Sequence, residues 1–226
     1  MKPFLPFLAP AMAVLILSGC ATKPPVPFDY TQFKASDPKS ILVLPPVNKT
    51  PEIRAPYSML SQVTLPLAES GYYVLPVSLV DETLKENGIT QANDAHALPT
   101  AKLHEIFGAD AALYITMTRY GTVYKVVDSQ TTVSAEARLV DLKTNAVLWT
   151  GNASASSAEQ QNQSQGGLAV LLVSALVRQI VGTVTDHSHP MAGVTSQRLL
   201  RAGRPQGLLY GPRSPLYKQE DAAKPR

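Results

Sequence analysis

The chain has 226 residues, with 20 Lys/Arg against 17 Asp/Glu for a formal net charge of +3, 45% hydrophobic residues, 19 prolines and one cysteine. That hydrophobic share supports a packed core and excludes global disorder. A single cysteine excludes an intramolecular disulfide and a multi-cysteine zinc site, and the length fits one domain with extensions.

Met1 and Lys2 form a short positive start, Phe4 to Leu17 an apolar stretch, and Leu17-Ser18-Gly19-Cys20 closes it. This is the arrangement of a secretory signal, and the apolar run is too short to span a bilayer. The four closing residues resemble a bacterial lipobox. The resemblance implies cleavage between Gly19 and Cys20, a diacylglycerol thioether on Cys20 and an acyl chain on its new N-terminus. Several chains give stable anchoring. Ala21 in place of Asp implies, in a Gram-negative host, passage to the outer membrane. Residues 1–19 are therefore expected to be a signal peptide. Residues 20–39, with Pro24, Pro25, Pro27 and Pro38, are expected to be a lipidated, extended tether.

Folded structure is expected over 40–156. Ser40 to Val47 reads as a buried strand entering a turn at Pro45-Pro46. Ala55 to Ser70 reads as a helix stopped by Gly71, with a break or kink at Pro66. Tyr72 to Pro76 is a short strand. Ser78 is placed to cap a helix ending at Asn87-Gly88. Residues 89–98 read as a loop, and Thr100 as the cap of a short helix ending at Phe107. Strands are expected over Ala111–Tyr120, Thr122–Asp128 and Thr131–Asp141, with a turn at Ser129-Gln130. In the last of these Val133, Ala135, Ala137 and Leu139 alternate with Ser134, Glu136 and Arg138, so one face is buried. Lys143 to Ala146 turns the chain into Val147–Ala153. The order predicts an α+β fold, a single mixed sheet with helices packed on it.

Residues 154–167 are polar and low in complexity, a linker in this reading. Leu168 to Thr185 is an apolar helix, either packed on the sheet or forming a subunit or membrane-proximal contact. Residues 157–185 are thus a linker and helix associated with the domain. Residues 186–226 read as an extended basic tail: the last 36 residues carry seven Lys/Arg and two Asp/Glu. Such a tail is either solvated or an arm for a partner or anionic headgroups.

Two passages carry a fold-level resemblance. Ile41-Leu-Val-Leu-Pro-Pro-Val-Asn-Lys-Thr50 resembles the opening strand of the curli-secretion lipoprotein CsgG and of the TolB amino-terminal domain. Gly108-Ala-Asp110, then Ala135 to Asp141, Thr144-Asn145 and Val147-Leu-Trp149, resembles the second half of that domain. The physical logic is a hairpin in which Asp141, Thr144 and Asn145 suit the turn and Trp149 covers the sheet. The whole chain, with its lipobox, its prolines and Leu208-Leu-Tyr-Gly-Pro212, is similar to a family of Gram-negative lipoproteins that includes a meningococcal surface antigen studied as a vaccine candidate. No established activity comes with that family.

Candidate chemistry is thin. Asp186-His187-Ser188-His189 holds an H-x-H pair, a spacing that can bind a transition metal but needs two more ligands for a structural site. His96 and His104 have no evident partner. No G-x-S-x-G elbow, H-E-x-x-H, phosphate loop or dinucleotide fingerprint occurs. The leading expectation is a non-catalytic, lipid-anchored interaction or assembly module without a cofactor beyond its lipid. It would contact the membrane through the anchor, form a homodimer or higher homo-oligomer, and meet other envelope lipoproteins but no nucleic acid. A CsgG-like secretion pore is one alternative, although residues 122–140 are too short and too charged on one face for a clear barrel-forming pair. A periplasmic metal-binding protein or hydrolase is the other.

Overall fold

The computed structural model describes residues 28–124, 129–162 and 188–219. A mixed sheet runs in the order β3-β1-β4-β5-β6, with β2 paired to β4. β1 (Ser40–Val43) lies parallel to both β3 (Tyr73–Val74) and β4 (Ala111–Tyr124). β4, β5 (Ser129–Asp141) and β6 (Val147–Ser156) form an antiparallel meander. The expected α+β class, one mixed sheet with helices against it, is what the chain adopts.

β1 reads as a continuous apolar run because both its faces are covered. Ile41 and Val43 enter one core with Met59, Val63 and Leu67 of α2 (Ala55–Glu69). Leu42 and Leu44 enter another, beneath α3 (Val77–Glu86), α4 (Ala92–Ala97) and α5 (Thr100–Phe107). Pro45 and Pro46 cannot donate to a ladder. The strand stops there, and β2 (Val47–Asn48) resumes along β4 one residue out of step, since Val43 pairs Leu113 and Val47 pairs Thr116.

In place of the two strands expected over 111–128, a single strand covers Ala111–Tyr124, the described part of that span. β4 passes through Gly121 and absorbs a register shift between Met117 and Arg119, a bulge that twists the long hairpin without ending it. Ser129 and Gln130, expected as a turn, begin β5. Ser78 and Thr100 do not cap: Pro76 and Pro99 hold the N-cap positions, and no side-chain cap bond forms. The 89–98 loop contains α4.

Pro66 does not break α2 either. Its missing N–H leaves the Gln62 carbonyl, four residues back, without its helical donor. Ser196 Oγ donates to that oxygen at 3.0 Å. The donor comes from α7 (Ser188–Leu200), in the region expected to be an extended tail. That expectation fails for a specific reason. Met191, Thr195 and Leu199, and Ala192, Ser196 and Leu200, form two buried rows at helical spacing, but two of the six are hydroxyl residues, which mask the periodicity. Thr195 Oγ1 also donates inward, to Val133 O at 3.1 Å.

Residues 201–219 continue as irregular chain laid against the body. Gly211 N–H donates to Ser70 O at 2.8 Å and Arg213 N–H to Gly71 O at 3.0 Å. A Cβ on Gly71, whose φ is +95°, would lie 2.4 Å from Ser214 N. The glycines and prolines of this segment thus serve close backbone packing, not extension into solvent.

Residues 28–39, expected to be part of the tether, belong to the fold. Phe28, Tyr30 and Phe33 stack in sequence, ring centroids 4.9 and 6.3 Å apart, and Phe33 of α1 (Thr31–Ser36) is buried in the main core. Three aromatic residues within six positions bury more than the flanking prolines could keep extended. The polar linker also begins later, since β6 runs to Ser156 and α6 (Ser157–Asn162) follows. The apolar 168–185 segment, Gly19, Cys20 and His187 lie outside the described residues.

Candidate functional site

The hairpin turn is organised by Asp141. Its Oδ1 accepts from the backbone N–H groups of Lys143 at 2.9 Å and Thr144 at 2.7 Å, and its Oδ2 accepts from Ser36 Oγ of α1. Asn145 takes the left-handed conformation, φ 61°, which asparagine tolerates. Trp149 is buried and its Nε1–H donates to Gln206 O at 2.9 Å. Gly151 admits the indole, for a Cβ there would stand 2.2 Å from the ring.

Asp110 plays a parallel part at the start of β1. Its Oδ2 accepts from Lys39 N, Ser40 N and Ser40 Oγ at 2.9–3.1 Å. Burial pushes both carboxyls up, but the hydrogen bonds outweigh it. Donors on Lys39 and Ser40, with the nearby Lys143 ammonium, hold Asp110 below the ordinary aspartate value. Donors on Ser36, Thr144 and Lys143 do the same for Asp141. These carboxylates tie chain segments together.

The histidines are also committed. His189 Nδ1 lies 2.8 Å from Ser58 Oγ, and its Nε2 lies 3.0 Å from Gln62 Nε2. A Ser–His contact is the core of a nucleophile–base pair. Here the second ring nitrogen meets an amide in place of a carboxylate, and Ser58 sits inside α2 with its N–H bonded to Arg54 O at 2.9 Å. Among the described residues no carboxylate orients this imidazole, and the arrangement joins α2 to α7 beside the Ser196–Gln62 bond. His96 Nε2–H donates to Pro45 O at 3.0 Å. Burial and, more weakly, the Arg138 charge lower its pKa against the opposing effect of that carbonyl. His104 Nδ1–H donates to Ala109 O at 2.8 Å. Among the described residues no three His, Cys, Asp or Glu side chains group to hold a metal ion.

Three depressions in the surface were not visible in the sequence, because each joins residues from separate elements. One, of about 490 Å³, lies between the edge strand β3, α3 and α5, and is lined by Tyr73, Leu75, Leu79, Val80, Ile106 and Phe107. Tyr73, Leu79 and Ile106 are 48%, 61% and 38% exposed. A second, of about 240 Å³, sits where β1 ends, among Pro45, Tyr57, Lys85, Ile89 and Gln91. It occupies the switch point at which the chain leaves β1 for β3 on one side and later β4 on the other. The third, of about 810 Å³, spans the sheet face left open over β4–β6 and includes His96, Tyr114, Glu136, Arg138 and Asn152. The Arg138 guanidinium lies 4.4 Å from the Tyr114 ring centre, a cation–π contact.

A family model described as "Putative lipoprotein GNA1162-like" matches residues 28–213. The chain belongs to this lipoprotein family. The match begins at Phe28, the first described residue, and ends at Arg213, within the C-terminal segment that packs on the body. The lipoprotein NMB1124/NMB1162 of Neisseria meningitidis serogroup B is 48% identical over 213 residues, covering 94% of this chain and 97% of that one. The crystal structure of lipoprotein GNA1162 from Neisseria meningitidis shares 51% identity over 65% of this chain and 100% of its own, with a TM-score of 0.52. The PelC L103M dodecamer from Paraburkholderia phytofirmans is also similar, at 14% identity, 71% of this chain, 84% of that chain and a TM-score of 0.44. Membership in a lipoprotein family implies a membrane-anchored envelope protein. Among the described residues no helix is long and apolar enough to cross a membrane.

Proposed function

We propose that this chain is an outer-membrane lipoprotein, acylated at Cys20, whose domain is a non-catalytic interaction module that self-associates at the β3 edge. The observation that carries the reading is the apolar groove beside β3. Tyr73, Leu79 and Ile106 stand exposed around one depression at the end of the sheet, and grouped apolar exposure of this kind marks interaction surfaces. Support for a second copy as occupant comes from the anchor, which confines copies to one leaflet and raises their effective concentration. Support for a non-catalytic role comes from Asp110, Asp141, His96, His104 and His189, whose polar atoms bond to neighbouring segments. The Ala21 that follows Cys20 supports the outer membrane as destination.

The test is the mass in solution of the full chain carrying Cys20→Ser, by light scattering after size exclusion, with and without Leu79→Asp. A dimer or larger species that becomes monomeric in the variant at an unchanged melting temperature is expected. A strictly monomeric parent, together with no crosslinked species in intact cells, would overturn the reading.

A further inference from the structure

We propose that the face where the chain enters the fold is a second membrane contact, a basic rim that docks on anionic phospholipid headgroups and fixes the orientation of the anchored domain. The proposal rests on lipid anchoring at Cys20. Two contacts from the C-terminal segment bracket α1: the Tyr30 hydroxyl donates to Gly207 O, and the Tyr217 hydroxyl donates to Asp37 at 2.6 Å. Seven residues of near-helical chain separate those points by about 10 Å. Arg204 flanks the first contact, through Gly207 N–H to Arg204 O at 2.9 Å. Lys218 flanks the second, 3.2 Å from Asp37. Arg213 lies over the Tyr73 ring at 5.1 Å, and Tyr73 N–H donates to Lys39 O, so it joins the same end of the molecule.

Lys34, Lys39, Arg204, Arg213 and Lys218 are all exposed. The acids facing them are Asp29, Asp37, Asp110 and Asp141, the last bonded to Ser36 of α1. Asp29 accepts from Thr31, Asp37 from Tyr217 and Lys218, and Asp110 from Lys39 N–H and Ser40. Residues 201–219 contain four Arg/Lys and no acid. Leu216 stands exposed beside Tyr217 and Lys218, an apolar side chain placed among cations as at a membrane interface.

Position makes the charge meaningful. Phe28 is eight residues beyond Cys20, a reach of roughly 26–29 Å when fully extended. The chain enters the fold on this face, so anchoring at Cys20 keeps it closer to the bilayer than the opposite end of the domain. Cations that come within about 8–10 Å of the headgroups are attracted at physiological salt.

The experiment uses the full chain with Cys20→Ser, so that no lipid contributes, and flotation with vesicles of phosphatidylcholine alone or with 30% phosphatidylglycerol. Binding to the anionic vesicles only is expected, weakening as salt rises. Each cation near the surface contributes about fivefold, so the triple variant Arg204→Gln, Arg213→Gln, Lys218→Gln should lose on the order of a hundredfold, while Arg204→Lys with Arg213→Lys retains binding. Melting curves confirm that the variants fold. Equal binding to both vesicles, no binding to either at low salt, or an unaffected triple variant would overturn the proposal. Acylation at Cys20 is judged separately, by incorporation of labelled fatty acid into the protein in cells and its loss in Cys20→Ser.

Discussion

Leu208→Ala separates a C-terminal segment that is part of the core from one that trails in solvent. Leu208 is 1% exposed and belongs to the cluster containing Trp149, Tyr72 and Leu200. It sits between Gln206, whose carbonyl accepts from Trp149 Nε1 at 2.9 Å, and Leu209, whose carbonyl accepts from the Tyr72 hydroxyl at 2.6 Å. These bonds pin the backbone on both sides, so the site cannot collapse to fill the space left by the side chain. A Leu→Ala change at such a site costs about 2–5 kcal/mol. For a domain of this size each kcal/mol shifts the melting temperature by about 2–4 °C, which gives a fall of about 4–20 °C. Leu216, eight residues along, is 44% exposed, and Leu216→Ala should change stability by no more than about 0.5 kcal/mol. The assay is a thermal melt of both variants in the Cys20→Ser chain. Equal melting temperatures for Leu208→Ala and its parent would refute the packing of this segment on the body.

Ser196→Ala should cost about 1–3 kcal/mol by leaving the Gln62 carbonyl without a donor. Adding Pro66→Ala restores a helical N–H to that oxygen and should recover most of the loss in a urea-denaturation double-mutant cycle; additive losses would show that the two residues do not share the carbonyl. Asp110 and Asp141 are held below their ordinary value of 3.8. Their stabilisation is present above the unfolded-state pKa and lost as pH falls through the folded one. The urea midpoint of the parent should therefore fall steeply below about pH 4, while the Asp110→Asn, Asp141→Asn variant starts lower and loses less over that range. Gly151→Ala should displace the Trp149 ring and break its bond to Gln206, costing about 1–3 kcal/mol with a red shift of the tryptophan emission. Cys20→Ser should abolish incorporation of labelled fatty acid into the protein; a variant that still takes up the label would contradict the anchor.

What the residues disclosed beforehand follows from how locally each feature is encoded. β1 announced itself because a strand buried on both faces must be apolar throughout. β5 announced itself because a strand wet on one face must alternate, as Val133 to Leu139 do against Ser134, Glu136 and Arg138. The turn at Asp141 was legible because the carboxylate serves amides two and three residues away. α7 was not legible, since its inward hydroxyls at Thr195 and Ser196 look polar until Val133 O and Gln62 O are seen to receive them. The 201–219 segment has no period at all, being held by Ser70, Gly71, Tyr72 and Trp149. Of the H-x-H pair, His189 is engaged by Ser58 and Gln62, about 130 positions earlier, a pairing that has no signature along the chain. Grooves are formed by neighbours in space, and neither their apolar rims nor their volumes have a signature along the chain.

The contacts that hold the N-terminal segment span almost the whole chain: Tyr30 to Gly207, Asp37 to Tyr217 and Ser36 to Asp141 lie 177, 180 and 105 residues apart. Residues 28–37 therefore cannot be seated until the last part of the chain has been made, whereas the β4–β5–β6 meander pairs neighbours in sequence and can form early. Loop-closure entropy disfavours long-range contacts until the intervening elements have condensed. Docking of the anchored end is thus a late step. Loss of the C-terminal segment would take Gly207 from Tyr30 and Tyr217 from Asp37 and so loosen α1, which Phe33 in the core and the Ser36–Asp141 bond would still hold.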